Sequence, residues 1–116
     1  MTHYTTTVRL VAEGSGRPLA GLRVSLFDHD RFSSDDLLGT GTTDAAGEVE
    51  FAYDTRDFAD LEDRISGSLP DLYCVVYAAD GSQIFSNEPL ALDNTPRRLI
   101  AVELPADVVE RHALLA

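Results

Sequence analysis

Alternation of apolar and polar side chains, broken every eight to twelve residues by turn formers, is the feature that most narrows what this chain can fold into. In 4–12, YTTTVRLVA, the residues Tyr4, Thr6, Val8, Leu10 and Ala12 alternate with Thr5, Thr7 and Arg9. That is the pattern of a strand with one buried face. Leu22, Val24 and Leu26 alternate with Arg23 and Ser25, and Val49, Phe51 and Tyr53 with Glu48, Glu50 and Ala52. The stretch 37–43, LLGTGTT, reads as a weaker strand whose two glycines point to an edge or a bulge. LYCVVYA at 72–78 is apolar on both faces, as a central strand covered on both sides would be, and QIFS and RLIAVELP supply two more strands.

The punctuation agrees. DAAG at 44–47 is a turn in which Asp44 can accept from backbone amides and Gly47 can take positive φ, and Asp80-Gly81 is a hairpin signal. Only TRDFADLEDRIS at 55–66 has helical spacing inside the chain, with Phe58, Leu61 and Ile65 on one stripe. After Pro105, ADVVERHALLA at 106–116 reads as a terminal helix with Val108, His112 and Leu115 on one face. With crossover helices missing between most strands, a parallel α/β fold cannot be built. The expected fold is all-β: a seven-stranded antiparallel two-sheet sandwich over 1–105, with one short interior helix and a helical tail over 106–116.

At 116 residues the chain is long enough to bury one core without cross-links, and 44% apolar residues argue against disorder. Twenty acidic against nine basic residues give a formal charge of −11, a poor match for nucleic acid or a bare anionic membrane. Cys74 is the only cysteine, so no internal disulfide forms, and its apolar neighbours mark a buried structural thiol. MTHYTTTVRL lacks the basic and apolar regions of an export signal, and no stretch has the length of a membrane span. The expectation is residence in the cytoplasm by default, or export as part of an assembly.

GRPLAGLRVSLFDHD at 16–30, followed by GTTDAAGEVEF at 41–51 and LYCVVYAADGSQIFS at 72–86, resembles the transthyretin-like, or prealbumin-like, sandwiches, including the regulatory modules of carboxypeptidases. The resemblance implies the fold far more than the function, because such modules serve as carriers, spacers, adaptors and enzymes. Two enzyme branches of this sandwich can be compared residue by residue. Hydroxyisourate hydrolases are similar at GRPLAG, but their pattern has a His nine residues before that Pro, where this chain has Arg9, and a Tyr-Arg-Gly-Ser ending, where it has HALLA. Intradiol dioxygenases are similar at TDAAGEVEF, but hold iron with two Tyr and a His-x-His pair, and here His3, His29 and His112 are scattered.

FDHDRFSSDDLLG at 27–39 resembles the third calcium loop of synaptotagmin-type membrane domains. Carried over by position, Asp28, Asp30 and Asp36 would supply carboxylates and Ser33 an oxygen, and calcium is the one cofactor that the residues raise. The bland alternative is that these acids are turn formers on a solvated loop. If consecutive strands alternate in direction, loops 28–36, 54–70 and 87–97 gather at one end of the sandwich and bring their acids together.

The expectation for function is a non-catalytic interaction or accessory module of a larger assembly, in a secretion, tail-like, adhesion or multidomain-enzyme setting. Its partner would be another protein or a second copy, with no nucleic acid and no insertion into a membrane. The candidate partner-binding residues are Val108, Val109, His112 and Leu115. The alternatives are calcium-dependent binding of a membrane or ligand through 28–36, and a hydrolase of the hydroxyisourate hydrolase type, whose two expected sites are absent.

Overall fold

The computed structural model describes residues 3–29, 36–54, 71–87, 92–93 and 97–114. The alternating segments form β1 (His3–Ala12), β2 (Arg23–His29), β3 (Asp36–Thr42), β4 (Glu48–Asp54), β5 (Asp71–Tyr77), β6 (Gln83–Ser86) and β8 (Arg97–Leu104), with a two-residue β7 (Leu92–Asp93). One helix follows, α1 (Ala106–Arg111). The interior helix expected over 55–66 lies outside the described residues.

Two sheets face each other, one ordered β4-β1-β8 and the other β3-β2-β5-β6, with β7 also on β5. This is an all-β two-sheet sandwich. Val8, Leu10 and Ile100 on one sheet, and Val24, Leu26, Leu72 and Val76 on the other, are at most 1% exposed and form its centre. Tyr4 and Tyr53, which are cross-strand partners, stack at 5.6 Å, and the Tyr53 hydroxyl lies 2.8 Å from Thr6 Oγ1. As its composition implied, β5 is covered on both sides: Leu72 through Val76 are all buried.

One ladder departs from the expected pattern. β1 pairs with β8 in parallel, Thr5 opposite Arg97 through Ala12 opposite Leu104. The cause is strand parity. Every connection except that from β6 to β7 reverses the chain, so six reversals separate β1 from β8 and the two point in one direction. When the two ends of the chain meet in the same sheet, they can only be parallel.

The end at which β3 passes to β4 is locked by a few polar contacts. Asp44 Oδ1 accepts from the amides of Ala46 at 2.9 Å and Glu48 at 3.0 Å, and Gly47 has φ +75°. Thr43 Oγ1 donates to the Leu19 carbonyl at 2.7 Å and accepts from the Leu22 amide at 3.0 Å, inside the protein. These bonds satisfy backbone groups that the chain between β1 and β2 would otherwise bury unpaired. At the β5–β6 turn, Asp80 Oδ1 accepts from the Ser82 hydroxyl and amide at 2.6 and 2.9 Å. The Ser82 hydroxyl bond first, then the amide bond, hold the Asp80 carboxyl below its ordinary value.

The terminal helix is shorter than its composition implied. Ala113 takes φ +50°, its amide donates to the Glu110 carbonyl at 3.2 Å, and the Leu114 amide returns to the Val109 carbonyl at 3.0 Å. That pair of bonds is a Schellman stop built on alanine rather than glycine. Leu114 packs against the core instead of continuing a helical stripe. Ala113→Gly is expected to raise stability by about 1 kcal/mol, read as a higher denaturant midpoint at unchanged slope, because glycine adopts positive φ without its Cβ penalty.

Candidate functional site

Among the described residues, the acid-bearing end, the terminal helix and the sheet edges are the places that could do chemistry or binding. Register fixes the first. Asp28 is the cross-strand partner of Asp36, His29 of Asp71, and Asp71 of Asp93. Gly39 and Gly41 lie against Phe51 and Val49 of the facing sheet, so β3 and β4 run side by side, antiparallel, and Asp54 ends at the same pole as Asp36 begins. The described aspartates at strand ends therefore collect at one end, as alternating strand direction requires, while Glu48, the first residue of β4, lies at the other.

Within that group the four candidate calcium ligands separate. Asp28 is in β2, on the same face as Val24 and Leu26, and is 1% exposed. Instead of ending the strand, it continues the buried row, which the period of two in Val24, Leu26, Asp28 could have revealed. Asp36 is the first residue of β3, and Asp30 and Ser33 lie outside the described residues. Among the described residues, no group of three or more His, Cys, Asp and Glu is placed to hold a metal ion.

The helix stripe is largely spoken for. Val109 is buried in the main core and Val108 packs partly buried against it. His112 is the half-buried residue that caps α1, and Leu115 lies outside the described residues. The exposed side of α1 carries an ion pair, Arg111 to Asp107 at 3.1 Å, of the kind that adds a few tenths of a kcal/mol on a surface helix. Among the described residues, no helix is long and apolar enough to cross a membrane.

Cys74 is fully buried on the inner face of β5, and burial pushes its thiol from the ordinary 9.0 up to about 12. A thiol so held is a poor nucleophile. At pH 8 its alkylation in the native protein is expected to be about a thousandfold slower than in denaturant, from the loss of thiolate alone, measured by mass spectrometry. The linkage has a definite sign. Cys74 leaves stability intact below pH 9, and stability falls as pH rises from 9 toward 12, where the unfolded thiol ionises and the folded one does not.

Arg9, at the position where the hydroxyisourate hydrolases have a His, is exposed on the outer face of β1, between Glu48 and Ala101 in register. That outer face carries Thr5, Thr7, Leu99, Ala101 and Glu103, of which Leu99 is 57% exposed.

The sheet edges differ in how well they are protected. β3 carries a register shift opposite Leu26 and Phe27 together with two glycines, and β6 has four residues and a shift of its own. β4 carries Glu48, Glu50 and Asp54 among its seven residues. Bulges, shortness and charge are the devices that blunt an edge. β8 has none of them in its middle: its eight residues keep an unbroken register with β1, it contains no proline, and Leu99 through Val102 are uncharged. Among the described residues β8 has a neighbour on one side only.

Solved structures share this architecture. A 9R-lipoxygenase from Cyanothece PCC8801 superposes with TM-score 0.56 at 21% identity over 90% of this chain and 16% of its own. An (S)-allantoin synthase superposes with TM-score 0.55 at 11% identity over 90% of this chain and 41% of its own. Transthyretin from Sparus aurata gives TM-score 0.47 at 13% identity over 86% of this chain and 89% of its own. No protein-family model matches the sequence, and no curated protein matches it. At these identities the first two likenesses establish the sandwich fold and no activity. This chain spans 16% of the lipoxygenase and 41% of the synthase.

Proposed function

We propose that this chain is a non-catalytic β-sandwich module that joins a larger protein assembly by adding a partner's strand to the β8 edge of its smaller sheet. The observation that supports this reading is β8, eight residues in unbroken register on one side, with no bulge, no proline and an uncharged middle from Leu99 through Val102. A strand laid there would extend the β4-β1-β8 sheet through main-chain hydrogen bonds, and the exposed Leu99 would give it side-chain selectivity. The similarity to a part of two larger proteins fits a module of this kind. So does the sequence, with Arg9 in place of the hydrolase His and three histidines far apart in the chain.

A photo-crosslinking side chain at the exposed position 101 tests the reading in the native source. Crosslinked species are expected from position 101 on β8 and not from the exposed position 50 on β4. Equal yield from both positions, or none from either, would remove β8 as the docking edge.

A further inference from the structure

We propose that the cleft between the β1–β2 connection and α1 takes the side chain of a lysine from another protein, its hydrocarbon stem lying on alanines and its ammonium between Glu13 and Glu110. This site is separate from the β8 edge and does not depend on it.

The cleft measures about 380 Å³, within the ~300–1,000 Å³ of small-ligand sites, and Ala12, Ala106, Val109 and Ala113 form the apolar part of its wall. Helix geometry places the acids. Ala106, Val109 and Glu110 are spaced by three and four residues, so they share one face of α1, and Glu110 stands one turn on from Ala106. Glu13 is held at the start of that turn: its amide donates to the Leu104 carbonyl at 3.0 Å, and its Oε1 accepts from the Ala106 amide at 3.5 Å. Two acidic residues about a helical turn apart therefore border an apolar floor.

Among the described residues that line the cleft, none is basic. The cation of α1 itself, Arg111, is paired with Asp107 at 3.1 Å, and neither of them belongs to the lining. Acidic residues beside alkyl surface, with no cation of their own, call for a ligand that joins a positive charge to a hydrocarbon chain. Lysine is that side chain: its stem covers apolar surface, and its compact ammonium carries hydrogens that Glu13, Glu110 and Ser15 can accept. Arginine's planar fork suits a single carboxylate in bidentate geometry instead. The sequence decides the source. All nine of its Lys and Arg residues are arginines, so a second copy of this chain has no lysine to supply, and the occupant belongs to a different protein. The formal charge of −11 draws a basic partner in.

Titration of the isotope-labelled full chain with Nα-acetyl-lysine methylamide, followed by NMR, reads the outcome. Saturable shifts are expected at the amides of Ala12, Ala106, Val109 and Ala113, with a dissociation constant on the order of millimolar. Glu110→Gln and Glu13→Gln are each expected to weaken binding about threefold, the worth of one exposed ion pair. Nα-acetyl-norleucine methylamide, which keeps the stem and lacks the charge, is expected to bind about tenfold more weakly than the lysine probe. Glu50→Gln, exposed on β4 and outside the cleft, is expected to leave the constant unchanged. The proposal is overturned by an absence of saturable shifts at the cleft, by a norleucine or arginine probe that binds as tightly as the lysine one, or by a Glu110→Gln variant that melts and binds like wild type. Crosslinking from position 101 reports on the module reading alone: its loss with lysine binding retained would remove that reading and leave this one.

Discussion

Replacing Gly47 by alanine is expected to cost about 3 kcal/mol of folding stability, by a backbone strain and a collision acting together. Gly47 has φ +75°, and a Cβ there would come within 2.6 Å of the Leu10 carbonyl oxygen and 3.0 Å of the Leu19 amide nitrogen. Both belong to backbone that is already committed: the Leu10 amide donates to the Gly47 carbonyl at 2.8 Å and the Leu19 amide to the Leu10 carbonyl at 3.0 Å. Neither can retreat without losing a bond. Gly81 provides the control, because it has φ +89° with open space around it. Gly81→Ala carries the strain alone and is expected to cost about 1 kcal/mol. Urea denaturation of both variants separates the two causes. Equal costs would mean that Gly47 does not sit between β1 and the connection to β2.

Phe51→Ala is expected to be the most damaging apolar truncation, at about 4 kcal/mol. Phe51 is 5% exposed and its ring fills the space above Gly39, where a Cβ would meet Cδ1 at 2.8 Å. Removing the ring opens a cavity between the sheets that neighbouring backbone cannot collapse to fill. Gly39→Ala in the wild-type protein overpacks the same space and is expected to cost about 2 kcal/mol. The two changes share one volume, so together they are expected to cost less than their sum. Strict additivity in a double-mutant cycle would mean that β3 and β4 do not meet face to face at these residues.

Those two glycines illustrate how far local reading reaches. LLGTGTT identifies a weak strand with a bulge or an edge, and β3 has both, a register shift near Leu38 and a neighbour on one side only among the described residues. That Gly39 and Gly41 exist to admit Phe51 and Val49 from the opposite sheet depends on residues eight to twelve positions away, which no local pattern relates. The turns at Asp44 and Asp80 were legible because their hydrogen bonds close within four residues. The buried thiol was legible too, from the apolar run around Cys74. The end of α1 was not. Schellman stops are recognised by glycine, and here Ala113 takes that conformation because Leu114 gains burial against the core.

At the candidate sites, Asp28 looked like the first residue of a loop because an aspartate follows an apolar run. Its burial follows from continuing the strand for two more residues, a continuation stabilised by pairing to Asp36 on one side and Leu72 on the other. Val108 and Val109 read as part of a partner-binding stripe, and packing gave Val109 to the core.

Strand periodicity, turn chemistry and the acidic balance are written in neighbouring residues, so the amino-acid order alone determined the β elements, their reversals and the gathering of the strand-end aspartates at one pole. Which strands lie side by side was a tertiary decision. β4 and β8 take the two flanks of β1, and burying Ile100, Val102 and Leu104 against the opposite sheet is a gain that exists only once both sheets are formed. The same packing makes β8 an outer strand among the described residues, and with it the edge that the proposed association uses.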